Sequence, residues 1–112
     1  MFACTTFARC WETAGQVYFG AVDPKSARIP TLIAAPGEGG TRKHPRLATT
    51  GNGDVLFVWT EGTAWARGGS LAWQGFDPSG RVTSVRGTVP GVPVWSFGTP
   101  IARPDGRFVV LY

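Results

Sequence analysis

Two stretches of the chain are apolar at every position, Val55-Leu-Phe-Val-Trp59 and Phe108-Val-Val-Leu-Tyr112. A strand shows its side chains alternately to two faces, so an unbroken apolar run predicts a strand covered on both. The short length of these runs and their Val and aromatic content disfavour a buried helix. Ser70–Phe76 reads differently. Leu71 and Trp73 fall on one face and Ser70, Ala72 and Gln74 on the other, the pattern of a half-buried strand. The middle of the chain thus resolves into four predicted strands, at about Arg46–Thr49, Val55–Thr60, Ser70–Phe76 and Val82–Thr88. The breaks carry turn chemistry. Gly51-Asn-Gly-Asp54 supplies residues that tolerate positive φ, as a tight hairpin requires. Asp77-Pro-Ser-Gly80 sets Pro second and Gly fourth, which suits a type I turn. Pro90, Pro93 and Pro100 cannot donate ladder hydrogen bonds and mark sheet edges or passages between units.

The same design recurs. Val17-Tyr-Phe-Gly-Ala-Val-Asp-Pro24 aligns with Leu71-Ala-Trp-Gln-Gly-Phe-Asp-Pro78, a strand running into an Asp-Pro turn. His44-Pro-Arg-Leu-Ala48 followed by Gly53–Trp59 aligns with Thr99-Pro-Ile-Ala-Arg103 followed by Gly106–Tyr112. Phe7-Ala-Arg-Cys-Trp11 is a weaker third copy of the apolar strand, which makes Trp11, Trp59 and Tyr112 equivalent. A period of roughly 50 residues holding several strands is the signature of propeller blades. The units run about 7–42, 43–96 and 97–112 and hold about three, four and two strands. Residues 1–112 therefore read as one partial β-propeller unit.

Composition agrees with an all-β chain. Sixteen glycines and nine prolines among 112 residues are too many helix breakers for a bundle, and 43 % hydrophobic content is too apolar for disorder. No run approaches the ~18 apolar residues of a membrane-spanning helix, so no membrane span is expected. Residues 1–20 lack a charged start, an apolar core and a small-residue cleavage site, so no signal peptide is expected there.

The net charge is +4, densest at Arg42-Lys43-His44-Pro45-Arg46. Clustered cations of this kind can contact phosphates. Nucleic-acid surfaces interleave them with aromatics, and no aromatic lies near this run in sequence, so it reads as a solvated loop and no nucleic-acid partner is expected. Cys4 and Cys10 would stand roughly 20 Å apart on one extended strand, too far for a disulfide. Both read as free, mostly buried thiols. The single histidine, His44, has no nucleophile or ligand partner implied by spacing and reads as an inter-strand hydrogen-bonding residue. Pro36-Gly-Glu-Gly-Gly40 opens no helix and lacks the Lys-Ser/Thr of a phosphate loop. No metal and no cofactor is expected.

The run His44–Glu61 and the stretch Pro104-Asp-Gly-Arg-Phe-Val-Val-Leu-Tyr112 resemble blades of sialidase-like, BNR-type β-propellers. Those blades have a Pro-led segment, a Gly-containing turn and an aliphatic strand ending in Trp or Tyr. The resemblance implies antiparallel four-stranded blades, about two per chain, forming part of a six-bladed propeller. It also implies an extracytoplasmic, periplasmic or secreted location. The Asp-box of those repeats reads Ser-x-Asp-x-Gly-x-Thr-Trp, whereas the turn here reads Phe76-Asp-Pro-Ser-Gly-Arg-Val-Thr83. No position matches a catalytic motif, and no catalytic residue is assigned.

Two blades alone would leave two broad sheet faces in water. About 500 Å² of apolar burial per face is worth on the order of 12 kcal/mol at ~25 cal/mol per Å², comparable to the whole ~5–15 kcal/mol stability of a domain. The sequence thus predicts either the C-terminal part of a longer propeller, completed by that protein's remaining blades, or a homo-oligomer. A trimer, giving six blades, is favoured. Three functional classes follow: a non-catalytic scaffold or interaction module, a carbohydrate-binding lectin built from oligomerised blades, and a fragment of a sialidase-like glycoside hydrolase. For the lectin, the candidate residues are Glu61, Trp65 and Arg67, an indole to stack on a glycan with polar groups to hold its hydroxyls; the alternative is that Trp65 packs over its own hairpin. For the hydrolase, the acidic residues fall mostly in turns (Asp23, Asp54, Asp77, Asp105), where an Asp serves the backbone.

Overall fold

A computed structural model describes residues 7–23, 25–29 and 31–112. All regular structure among them is β, in the order β1 (Phe7–Thr13), β2 (Gln16–Val22), β3 (Ile33–Ala34), β4 (Arg42–Thr49), β5 (Val55–Glu61), β6 (Gly69–Phe76), β7 (Val82–Val92), β8 (Thr99–Ala102) and β9 (Phe108–Leu111). Every pairing is antiparallel between sequence neighbours. They form a first sheet β1-β2-β3, a central sheet β4-β5-β6-β7 and a third sheet β8-β9. The three-four-two grouping is the one read from the repeat. No described helix is long and apolar enough to cross a membrane.

The turns follow from their residues. β1 and β2 are joined by Ala14-Gly15 alone, with φ of 51° and 74°, the positive-φ pair of a type I′ hairpin. Gly15 is needed twice over, since a Cβ there would meet the Gly40 carbonyl oxygen at 2.2 Å. In the Asp77–Gly80 turn the Gly80 N–H donates to the Asp77 carbonyl at 2.9 Å. The Asp77 carboxylate accepts from the Ser79 N–H, the Ser79 hydroxyl and the Arg81 N–H. Asp23 and Asp105 cap their turns in the same way.

The sheets stack face to face, with the central one in the middle. Val55, Phe57 and Trp59 of β5, with Ala72 and Phe76 of β6, form one core with Val17, Phe19 and Ala35 of the first-sheet segment. Phe19 sits 4.8 Å, ring centre to ring centre, from both Phe57 and Phe76. The alternate residues Leu56, Val58 and Leu71, with Val92, form a second core against Phe108 and Val110 of β9. β5 is therefore covered on both faces, as its apolar run predicts.

Three expectations are corrected. β9 is covered on one face only: Phe108 and Val110 face the central sheet while Val109 and Leu111 are exposed, because no sheet among the described residues lies on that side. β6 is not half-buried: Ala72 is 6 % and Gln74 4 % exposed, because the first sheet covers the face they share. Gln74 tolerates this because its Nε2 donates to the Gly75 and Thr83 carbonyls. Nor is Arg42–Arg46 a solvated loop. It is the first half of β4, with Arg42 buried and Arg46 over the Phe97 ring at 4.7 Å.

The register shifts between Lys43 and Arg46, so His44 and Pro45 form a β-bulge with His44 at φ 53°. Proline suits a bulge because no ladder hydrogen bond is asked of it. The first sheet docks there. Glu12 accepts the His44 N–H at 3.0 Å, and the Cys10 thiol donates to the Pro45 carbonyl at 3.3 Å.

Candidate functional site

Glu61, Trp65 and Arg67 divide between two places. β5 ends at Glu61, and the chain then reverses through Ala64–Arg67, whose ends bond each other backbone to backbone. Trp65 stands at the tip and is 83 % exposed, so it does not pack over its own hairpin. It meets Trp95 from the loop after β7, with ring centres 5.0 Å apart and planes at 84°. Trp95 is itself 67 % exposed. The two indoles form an open corner with apolar walls near a right angle, a shape that can hold the C–H face of a ring. Arg67 lies beside this corner in the loop, its Nε donating to the Gly62 carbonyl.

Glu61 belongs to a different cluster, which the sequence did not single out. Its Oε1 accepts from Arg42 Nε at 3.1 Å and from Trp59 Nε1 at 2.7 Å. Arg42 is the one charged side chain buried among the described residues. Its Nη1 donates to Gln16 Oε1 at 3.0 Å and to the Ala35 carbonyl at 2.8 Å, and its Nη2 donates to the Pro36 carbonyl. The guanidinium also lies 5.2 Å from the centre of the Trp59 ring. This one side chain ties the first sheet to the central one. A cleft of about 500 Å³ opens over it, lined by Trp59, Glu61, Trp73, Gln74 and Arg86 among others. Among the described residues Glu61 is its only carboxylate and is already committed to two donors, so these residues do not present the pair of carboxylates that glycoside hydrolysis uses.

The remaining reactive groups are held in structural bonds. His44 Nδ1 lies 3.0 Å from Thr60 Oγ1, the inter-strand hydrogen bond expected of it. Cys10 is free and half-buried. Burial pushes its thiol above the ordinary range against a smaller opposing effect of Arg46, so it stays protonated at neutral pH and is no activated nucleophile. Cys4 lies outside the described residues. No cluster of His, Cys, Asp and Glu suited to a metal ion occurs among the described residues.

A second concavity is apolar. A groove of about 820 Å³ runs between β9 and the outer half of the central sheet, lined by Trp73, Phe76, Val85, Val89, Phe108 and Val110 among others. Beyond it, the outward side of the third sheet exposes Ile101, Val109 and Leu111. Comparison with known proteins adds no relative: no family model, curated protein or solved structure matches this chain.

Proposed function

We propose that this chain is a non-catalytic section of a β-propeller of the sialidase-like kind and works as a scaffold or interaction module, its sheets acting as blades to be stacked against further blades. The observation that carries this reading is the repeated joint. β5 and β6 of the central sheet are covered on both faces by the neighbouring sheets, while the third sheet offers an apolar outer face to solvent. The equivalence of Trp11, Trp59 and Tyr112 and the three-four-two strand grouping support it. Absence of a catalytic motif and of paired carboxylates in the cleft weighs against the hydrolase.

The test is an in-register extension. Tyr112 stands where Trp59 does, so residues 60–112 appended after Tyr112 supply the next strands to β9 and its groove. Stability in repeat architectures is close to a sum of units and interfaces, so the extended chain unfolds cooperatively and at a higher temperature than the parent. A lower midpoint, or two separate transitions, refutes the blade reading.

A second reading is a glycan-binding corner at Trp65 and Trp95 with Arg67, favoured by the exposure of both indoles. Binding on a glycan array that disappears in both Trp65→Ala and Trp95→Ala supports it; no binding, or binding indifferent to both changes, removes it.

A further inference from the structure

The two joints inside the chain are built alike. In each, a sheet face bearing aromatic residues is laid on a mainly aliphatic face of the sheet before it. Phe57, Trp59 and Phe76 of the central sheet lie on Ala8, Cys10, Val17, Ala21 and Ile33 around Phe19. Phe108 and Val110 of the third sheet, followed by Tyr112 in the groove, lie on Leu56, Val58, Leu71, Val89 and Val92, with Trp73 the one aromatic ring on that face among the described residues. Among the described residues, one half of a third such joint remains at each side, with Trp11 and Tyr18 partly exposed on the first. Strand alternation turns Arg9 and Trp11 of β1 and Tyr18 of β2 away from the first core. Trp11 and Tyr18 are cross-strand partners with near-parallel rings 6.0 Å apart. On the opposite side, Ile101 and Val109 are cross-strand partners, Leu111 shares their face, and all three are exposed.

We infer that the occupant of the Ile101/Val109/Leu111 face is the Trp11/Tyr18 face of a second copy of this chain, added head to tail. The inference rests on the stacked-blade reading and names the partner of that surface. Continuity with the two internal joints carries it, since the halves left over among the described residues are a face bearing aromatic rings and a mainly aliphatic face, the pairing both internal joints use. Such a contact is heterologous: it uses two different patches and leaves each copy able to bind one neighbour on each side.

This asymmetry gives the test. The chain of residues 1–112 is measured by light scattering and analytical ultracentrifugation from micromolar to millimolar concentration, beside Val109→Asp/Leu111→Asp and Trp11→Asp. The wild-type chain associates to at least twice its 11.9 kDa, and each variant alone is monomeric. Mixed, they form a 1:1 pair and nothing larger, because each supplies the face the other lacks. Far-UV circular dichroism checks folding, with Ile101→Asp and Arg9→Glu replacing a variant that fails it. A monomeric wild type overturns the inference, as does a variant that still self-associates or a mixture that does not pair. A monomeric wild type whose 60–112 extension is still stabilising overturns only the identity of the partner and leaves the blade reading intact.

Discussion

Removing the Arg42 side chain should be among the most damaging single changes outside the apolar core. Arg42→Ala deletes donors to Glu61, Gln16, Ala35 and Pro36 and leaves the Ala35 carbonyl without its partner beneath a 2 % exposed residue. Hydrogen bonds to charged groups are worth about 1.5–3 kcal/mol each, and they do not add when one group makes them all. Breaking a buried ion pair from one side costs ~3–5 kcal/mol. The Glu61 side chain is 36 % exposed, so it rehydrates once Arg42 is gone and the loss falls at the low end, about 3 kcal/mol. At ~4–8 °C per kcal/mol for a small domain, the thermal midpoint falls by roughly 12–24 °C. Arg42→Lys keeps the charge but not the planar fork that reaches several acceptors at once, and should lose about half as much. Equilibrium urea unfolding followed by tryptophan fluorescence measures all three proteins. An Arg42→Ala chain within about 0.5 kcal/mol of wild type, the range of an ordinary surface change, would show that the cluster adds nothing to the joint that the apolar core and the Glu12 and Cys10 hydrogen bonds make.

Three further outcomes follow from the same structure. Ala14→Asn places the preferred residue beside Gly15 at the φ 51° position of the type I′ turn and should raise stability by about 0.5–1 kcal/mol in urea titrations. Gly98→Ala should lower it by about 1–3 kcal/mol, because the added Cβ would lie 2.6 Å from Leu71 Cδ1 and 2.9 Å from Val58 Cγ1. The Ser79 hydroxyl, then the Arg81 N–H, holds the Asp77 carboxyl below its ordinary range. Its contribution is therefore present above the unfolded value of about 3.9 and is lost as pH falls through the lower folded value. Asp77→Asn should be less stable at pH 7 and should lose less than wild type between pH 5 and pH 2, as read from urea midpoints at each pH.

The strands were legible because their chemistry is local. Val55–Trp59 declares two covered faces without any knowledge of what covers them, and Asp77-Pro-Ser-Gly80 declares its turn through one proline, one glycine and a carboxylate. The candidate site was legible only in part. Trp65 and Arg67 lie in the loop where their spacing puts them, but the partner of Trp65 is Trp95, thirty positions away, and nothing at either position names the other. Glu61 bonds Trp59 two residues back on its own strand, but its tie to Arg42 depends on where β4 lies beside β5, which spacing alone does not state. A charge run such as Arg42–Arg46 looks uniform in sequence, while its members go to opposite fates: Arg42 inward to four acceptors and Arg46 outward over Phe97.

By itself, then, the order of residues determined an all-β chain, its hairpins, the antiparallel neighbour pairing and the grouping of strands by period, since each depends on alternation, turn propensity and short loops. The tertiary structure alone decided which sheet lies on which, and with it the burial of Ala72 and Gln74, the bulge at His44 and Pro45, and the setting of Arg42. Those outcomes depend on surfaces supplied from distant parts of the chain, and a small or polar side chain does not announce whether another sheet will arrive to cover it.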